Sequence, residues 1–332
     1  VAGGSGGAVS ILASTSPSTG TSPFTLTSNT FTNSHSVGNG GCISIVVPGP
    51  STAFSFSQQD FTNCVSSGGS GGGVYLAYGD GSMSVAPITL MSVNFNGCTA
   101  VGGHGGALSG IATASTIDHS SFTATDVNVV GSEATRGGGI DVSYSGSGSN
   151  SDVTFTDCTF MTCSASAGSG GSVNFVSSSS CVNCGVTFAN DVFQNSQAAG
   201  SGGSVNFAFG GSFSSAALSI SNVDFTDSSS TGASSDGGAF AFSCASYNAV
   251  TSTISDSSFT NMVAGGSGGA VSILASTSPS TGASPFTLTS NTFTNSHSAG
   301  NGGCISIVVP GPSTAFSFSQ QDFTNCVSSG GS

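Results

Sequence analysis

The chain has 332 residues; 51 are Gly, 24 are Phe, and only 5% are charged. One basic side chain against 14 acidic ones leaves a net charge of −13, which removes the counterion release behind nucleic-acid binding and excludes polyanionic partners. An apolar content of 36% can build a large core, yet runs such as Ile43 to Val47 are far shorter than the roughly 20 residues that cross a bilayer, so no membrane insertion is expected.

In chain order, the first element opens at a glycine pair, Gly6 and Gly7, followed by a small residue and an apolar-x-apolar pair, Val9 and Ile11. A second alternating pair comes at Phe24 and Leu26, then a Phe five residues on, Phe31, with Asn33 two places beyond it. The series restarts at Gly40 and Gly41 with Ile43 and Ile45, Phe54 and Phe56, Phe61 and Asn63. It recurs from Gly71 and Gly72, Gly105 and Gly106, Gly137 and Gly138, Gly170 and Gly171, Gly202 and Gly203, Gly237 and Gly238, Gly268 and Gly269, and Gly302 and Gly303, at steps of 31 to 35 residues. The Phe that closes each series is read as Phe31, Phe61, Phe95, Phe122, Phe160, Phe193, Phe225, Phe259, Phe293 and Phe323. A longer period encloses the short one, because residues 1–70 return at 263–332 with two changes, Ala283 for Thr21 and Ala299 for Val37. The chain is thus one unit of eight short repeats, 1–262, followed without a linker by the first two repeats of a near-identical unit, 263–332.

Alternation with period two marks half-buried strands, and no stretch carries the 3.6-residue stripe of a helix. Three short apolar patches per repeat, the Phe being the third, cannot bury themselves alone. Stacked as coils they can, which predicts an all-β, three-faced parallel β-helix (a β-solenoid) of about ten coils, right-handed by the strong preference of parallel crossovers. Coils spaced about 4.8 Å apart would carry the Phe rings down the interior as one offset stack. The glycine pairs read as tight corners without room for a Cβ. Asn33, Asn63, Asn195, Asn261 and Asp227 read either as a stacked side-chain ladder or as solvated turn residues, with Gly97, Ala124 and Thr162 at the same place in other repeats.

The Gly-Gly-Ala-apolar element, GGAV at Gly6 and Gly268 and GGAL at Gly105, resembles the repeat of chlamydial polymorphic outer-membrane proteins. That resemblance implies the right-handed β-helical passenger of an autotransporter-type surface adhesin. The family's second motif, Phe-x-x-Asn, is not matched: the chain has Phe-Thr-Asn or Phe-x-Asp, as at Phe61-Thr62-Asn63, and no binding residue carries over.

Ten Cys without a His-rich cluster point to an oxidising compartment, outside the cell. Cys64 and Cys98 each follow a column Phe by three residues in consecutive coils, one strand spacing apart, and are expected to be bonded. By that register Cys326 has no partner and is expected to be unpaired. Cys158, Cys163, Cys181 and Cys184 have the spacing C-x4-C then C-x2-C, compatible with zinc, but in an oxidising setting they read as one or two disulfides. No cofactor or metal is expected. The acids nearest in sequence, Asp152 with Asp157 and Asp224 with Asp227, are not adjacent; His35, His104, His119 and His297 are scattered, and Arg136 is the only strong base, so no catalytic role is expected.

The second strand bears outward hydroxyls at Thr25 and Thr27, Ser55 and Ser57, Thr154 and Thr156, Ser219 and Ser221, and Thr253 and Ser255. A flat Thr-x-Thr array is what ice-binding solenoids present, but Met91, Asp118 and Ala189 are expected to interrupt it. The face therefore reads as a solvated one, with O-glycan attachment or ice binding as alternatives. No Asn begins an Asn-x-Ser/Thr acceptor. The expected function is a structural repeat segment of a long extracellular filament or cell-surface appendage. Its expected partners are further copies of itself, in tandem or end to end, with lateral bundling or glycans on its Ser/Thr surface. The alternative is an adhesin stalk whose loops, Ala13 to Pro23 and Ser143 to Asp152, contact a host surface or glycan.

Overall fold

The computed structural model describes residues 2–13, 23–47, 52–79, 82–113, 116–277, 283–309 and 315–330. Among these there is no helix, and every strand pairs in parallel with strands one coil away. The molecule is the expected parallel β-helix. We number its coils 1 to 10 from the glycine pair that opens each.

Three stacks of strands run along it. The first leaves the glycine corner, from Val9–Leu12 and Ile43–Val47 through to Ile305–Val308. In the middle coils it resumes after a turn, as at Thr116–Asp118 and Ser147–Ser149. The second stack carries both the alternating pair and the column position. It is split in coil 1, as Phe24–Thr27 and Thr30–Thr32, and unbroken in coils 2 to 4, as Phe54–Thr62, Ile88–Asn96 and Phe122–Val130. Because an unbroken strand pairs with both halves of a split one, the pairings form a cycle on paper, yet each partner lies one coil along the axis and no barrel closes. The third stack is ten two-residue strands, from His35–Ser36 to Val327–Ser328.

The third face is therefore not made by the Phe, which shares the second sheet beyond a bend. Its inward position, five residues after the column position, is always Ser or Ala: Ser36, Ser66, Ala100, Ala134, Ala165, Ala198, Ser230, Ala264, Ser298 and Ser328. Only small side chains fit because the third sheet lies against the glycine corners. A Cβ on Gly41 would sit 2.5 Å from the Val65 nitrogen and 2.1 Å from the Gly72 carbonyl oxygen of the next coil. The first glycine of each pair is needed for another reason, since its φ lies between +56° and +72° in all ten coils, where a Cβ is penalised.

The Phe stack forms, with one correction. Phe61 and Phe95 have ring centroids 4.8 Å apart at 9°, and Phe160, Phe193, Phe225, Phe259, Phe293 and Phe323 continue at 4.7 to 5.0 Å. Phe31 stacks on Phe61 at 5.1 Å. Phe122 is not in this stack: it pairs with Ile88 and Val153 at the head of the second sheet, and Val129 stands between Phe95 and Phe160. The five-residue spacing runs in coil 4 from the small Ala124, and it ends on Val129. Each buried ring contributes roughly 1.5–3 kcal/mol, with offset stacking adding about 0.5–1.5.

Candidate functional site

The cysteines obey a different geometry from the one expected. Cys42 is bonded to Cys64 and Cys304 to Cys326, each across one coil, with Cα atoms 5.4 and 5.2 Å apart, and Cys181 is bonded to Cys184. Cys98, Cys158, Cys163 and Cys244 are free and buried. So Cys64 is not joined to Cys98, and Cys326 is paired. Residues stacked in register on parallel strands project their Cβ atoms side by side, about one strand spacing apart, farther than the roughly 3.8 Å a disulfide requires. Across a coil, the residue two places after the first glycine faces the residue three places after the column position. In coil 6 these are Ser172 and Ser196, with hydroxyls 2.6 Å apart, and in coil 7 Ser204 and Ser228, at 2.7 Å. Gly73 and Gly139 hold the first of these places in the coils of Cys98 and Cys163, so those thiols meet no sulfur. Burial pushes the Cys98 thiol up to about 11 and those of Cys158, Cys163 and Cys244 to about 12. Among the described residues, no three His, Cys, Asp or Glu side chains converge as a metal site would need.

The Asn ladder exists, in segments. Asn63 donates to Asn33 at 3.1 Å, Asn261 to Asp227 at 2.8 Å, Asn295 to Asn261 at 3.1 Å and Asn325 to Asn295 at 2.9 Å. The position has φ between +52° and +60° in every coil, which Asn, Asp and Gly tolerate. Coil 4 contributes Gly131 there, not Ala124. A second left-handed corner, at the bend of the second sheet, runs from Ser28 to Gln320.

The acids singled out by sequence serve these inter-coil contacts. Asp152 accepts from the Gly185 N–H at 2.6 Å, Asp157 from Asn190 at 3.0 Å, and Asp224 from the Ser258 hydroxyl. Asp118 accepts from Ser149 and Asn150, which with His119 hold its carboxyl down at about 2. Arg136 clasps the fully buried Asp141, Nε to Oδ1 at 2.8 Å and Nη2 to Oδ2 at 3.0 Å. From there Asn174 donates to Asp141 at 2.7 Å and Asn206 to Asn174 at 2.8 Å. His104 lies 3.1 Å from Arg136, and burial, then Arg136, lowers its pKa against the pull of Asp141. This network was missed in the sequence, although Asp141, Asn174 and Asn206 share one offset from the glycine corner. Of the two candidate contact loops, residues 14–22 lie outside the described residues. Within Ser143 to Asp152, Ser147–Ser149 is a strand paired on both sides.

The register also assembles the hydroxyl face. One file reads Thr25, Ser55, Thr89, Thr123, Thr154, Thr187, Ser219, Thr253, Thr287 and Ser317. The file beside it reads Thr27, Ser57, Met91, Thr125, Thr156, Ala189, Ser221, Ser255, Thr289 and Ser319. Asp118 is not on this face; it belongs to the first stack, between Ser84 and Ser149. The face is thus more regular than expected.

The three disulfides belong to a non-reducing environment, and no helix of the described residues is long and apolar enough to cross a membrane. No family model, curated protein or solved structure matches the chain.

Proposed function

We infer that the chain is a structural segment of a long extracellular filament or surface appendage, in which 262-residue units add along one β-helix. The observation that carries this reading is the joint between the two units. Coil 9, the first of the second unit, stacks on coil 8 in the same register as any other pair: Phe240 on Val271, Ser258 on Thr292, and Phe259 on Phe293 with centroids 4.7 Å apart. Val271, Ile273, Phe286, Leu288 and Phe293 are at most 2% exposed under coil 8, whereas their counterparts in coil 1 are only partly buried. Likewise Phe54, Phe56 and Phe61 are at most 1% exposed beside coil 3, while Phe316, Phe318 and Phe323 in coil 10 are 48–52% exposed. At the joint, the sequence of one unit covers the core of the next as any coil covers its neighbour. The disulfides support an extracellular setting, and the weakly charged Ser, Thr and Gly surface suits lateral packing or glycan attachment.

The test is to produce chains carrying residues 1–262 once, twice and three times and to measure them by small-angle scattering and electron microscopy. Length should grow by about 38 Å per unit, eight coils at about 4.8 Å, at constant cross-section. Separate beads, or a cross-section that grows with unit number, would overturn the reading.

A further inference from the structure

We propose that the outward face of the second sheet binds ice, that is, the ordered water at the surface of a crystal. This does not depend on the filament reading. The file from Thr25 to Ser317 carries a hydroxyl in each of ten coils, and its neighbour from Thr27 to Ser319 carries one in eight, broken only by Met91 and Ala189. Oxygens therefore repeat about every 4.8 Å along the axis and about 6.6 Å across it, a two-dimensional lattice set by backbone pairing.

The lattice is stiff. Behind it the intervening side chains of coils 2 to 9 are core, such as Phe155 and Phe188, stacked 5.0 Å apart with planes within 1°, and β-branched Thr is restricted at χ1. Nearly all of the hydroxyls are also free of protein hydrogen bonds. Among the described residues of the two files, the one protein hydrogen bond made by a side chain is that of Ser319 to Thr289, 3.2 Å. Other Ser hydroxyls, buried in the coil interior, are spent on one another, as at Ser172 with Ser196 and Ser204 with Ser228. Each outward hydroxyl offers one donor and two acceptor sites, so it can take the place of a water molecule in a hydrogen-bonded layer.

The composition of the two files favours a periodic partner. The two files themselves carry no ionisable group for a charged ligand and no aromatic ring on which a sugar could stack; the nearest carboxylates, such as Asp126 and Asp157, stand at the bend just beyond the second file. They have no Trp, Tyr or Arg of the kind that anchors a protein interface. What the files have is periodicity, and a crystalline lattice is the partner that periodicity recognises.

The experiment grows a single ice crystal in a solution of the fluorescently labelled chain while thermal hysteresis is recorded. The wild-type protein should enter the ice, facet the crystal and separate its freezing and melting points. Thr154→Tyr and Thr187→Tyr, which place a ring on the full file, should be excluded from the ice and lose the hysteresis, with circular dichroism unchanged. Ser229→Tyr, on the outward side of the third sheet, should behave as wild type. Exclusion of the wild-type chain from ice, or uptake of a folded Thr154→Tyr or Thr187→Tyr chain equal to wild type, would overturn the proposal.

Discussion

Asp191 should make the protein lose stability as pH rises from acid to neutral. It lies two places before Phe193, at the inner side of the bend in the second sheet, and is 1% exposed. Its oxygens accept from the Cys158 N–H at 2.7 Å and the Ala189 N–H at 3.1 Å. Burial outweighs those two bonds and, with a smaller contribution from Asp157, pushes the carboxyl from 3.8 up to about 7. Between these values the folded protein keeps a proton that the unfolded chain has released, so stability falls with rising pH across that window and is level above it. A shift of roughly three units corresponds to about 4 kcal/mol at 1.36 kcal/mol per unit. Asp191→Asn should remove this dependence. The site accepts an amide: Asn291, at the same register in coil 9, takes the Ser257 N–H on Oδ1 at 3.0 Å and donates to the Ile254 carbonyl at 2.7 Å. Urea unfolding of the two proteins between about pH 4 and pH 8 provides the measurement. Their stabilities should nearly coincide at the acid end, and the variant should lead by up to about 4 kcal/mol at the alkaline end. A constant separation across the range would refute the reasoning.

Ser172→Cys combined with Ser196→Cys should close a disulfide across coil 6, as Cys42 and Cys64 do in coil 2, and stabilise the protein by about 3 kcal/mol; unreduced peptide mapping and the urea midpoint check both halves. Cys98, Cys158, Cys163 and Cys244 should resist alkylation at mildly alkaline pH while the protein is folded and all four should react in denaturant without reductant, as counted by intact mass; a Cys98 that stayed blocked would return it to a disulfide with Cys64. Phe193→Ala should cost about 3–5 kcal/mol in urea unfolding, because it removes a ring stacked on both sides. Val129→Ala, at the natural gap in the same stack, should cost less, and equal losses would show that ring stacking contributes little.

Much of the architecture was legible because a strand's side chains alternate by local geometry. Val9 with Ile11 or Phe54 with Phe56 must face one way whatever surrounds them, and a repeat of 31 to 35 residues then leaves stacking as the way to bury them. Where the pattern thinned, reading by residue type misled. Phe122 matches the column by residue type, while the spacing from Ala124 points to Val129. The Ser/Ala file of the third sheet is as regular as the Phe column, but small residues do not announce burial, and only the closeness of Gly41 to Val65 explains the restriction.

Sequence alone determined what stacks on what along the axis, since equal steps put equal positions above one another. Only the folded coil decided what meets across the interior and what shares an outer face: Cys42 with Cys64, Ser172 with Ser196, Arg136 with Asp141, and the uninterrupted hydroxyl file that leaves Asp118 elsewhere. The reason is geometric. Axial neighbours follow from periodicity, whereas transverse neighbours depend on where each left-handed corner turns the chain, and those angles are set jointly by residues far apart within the coil.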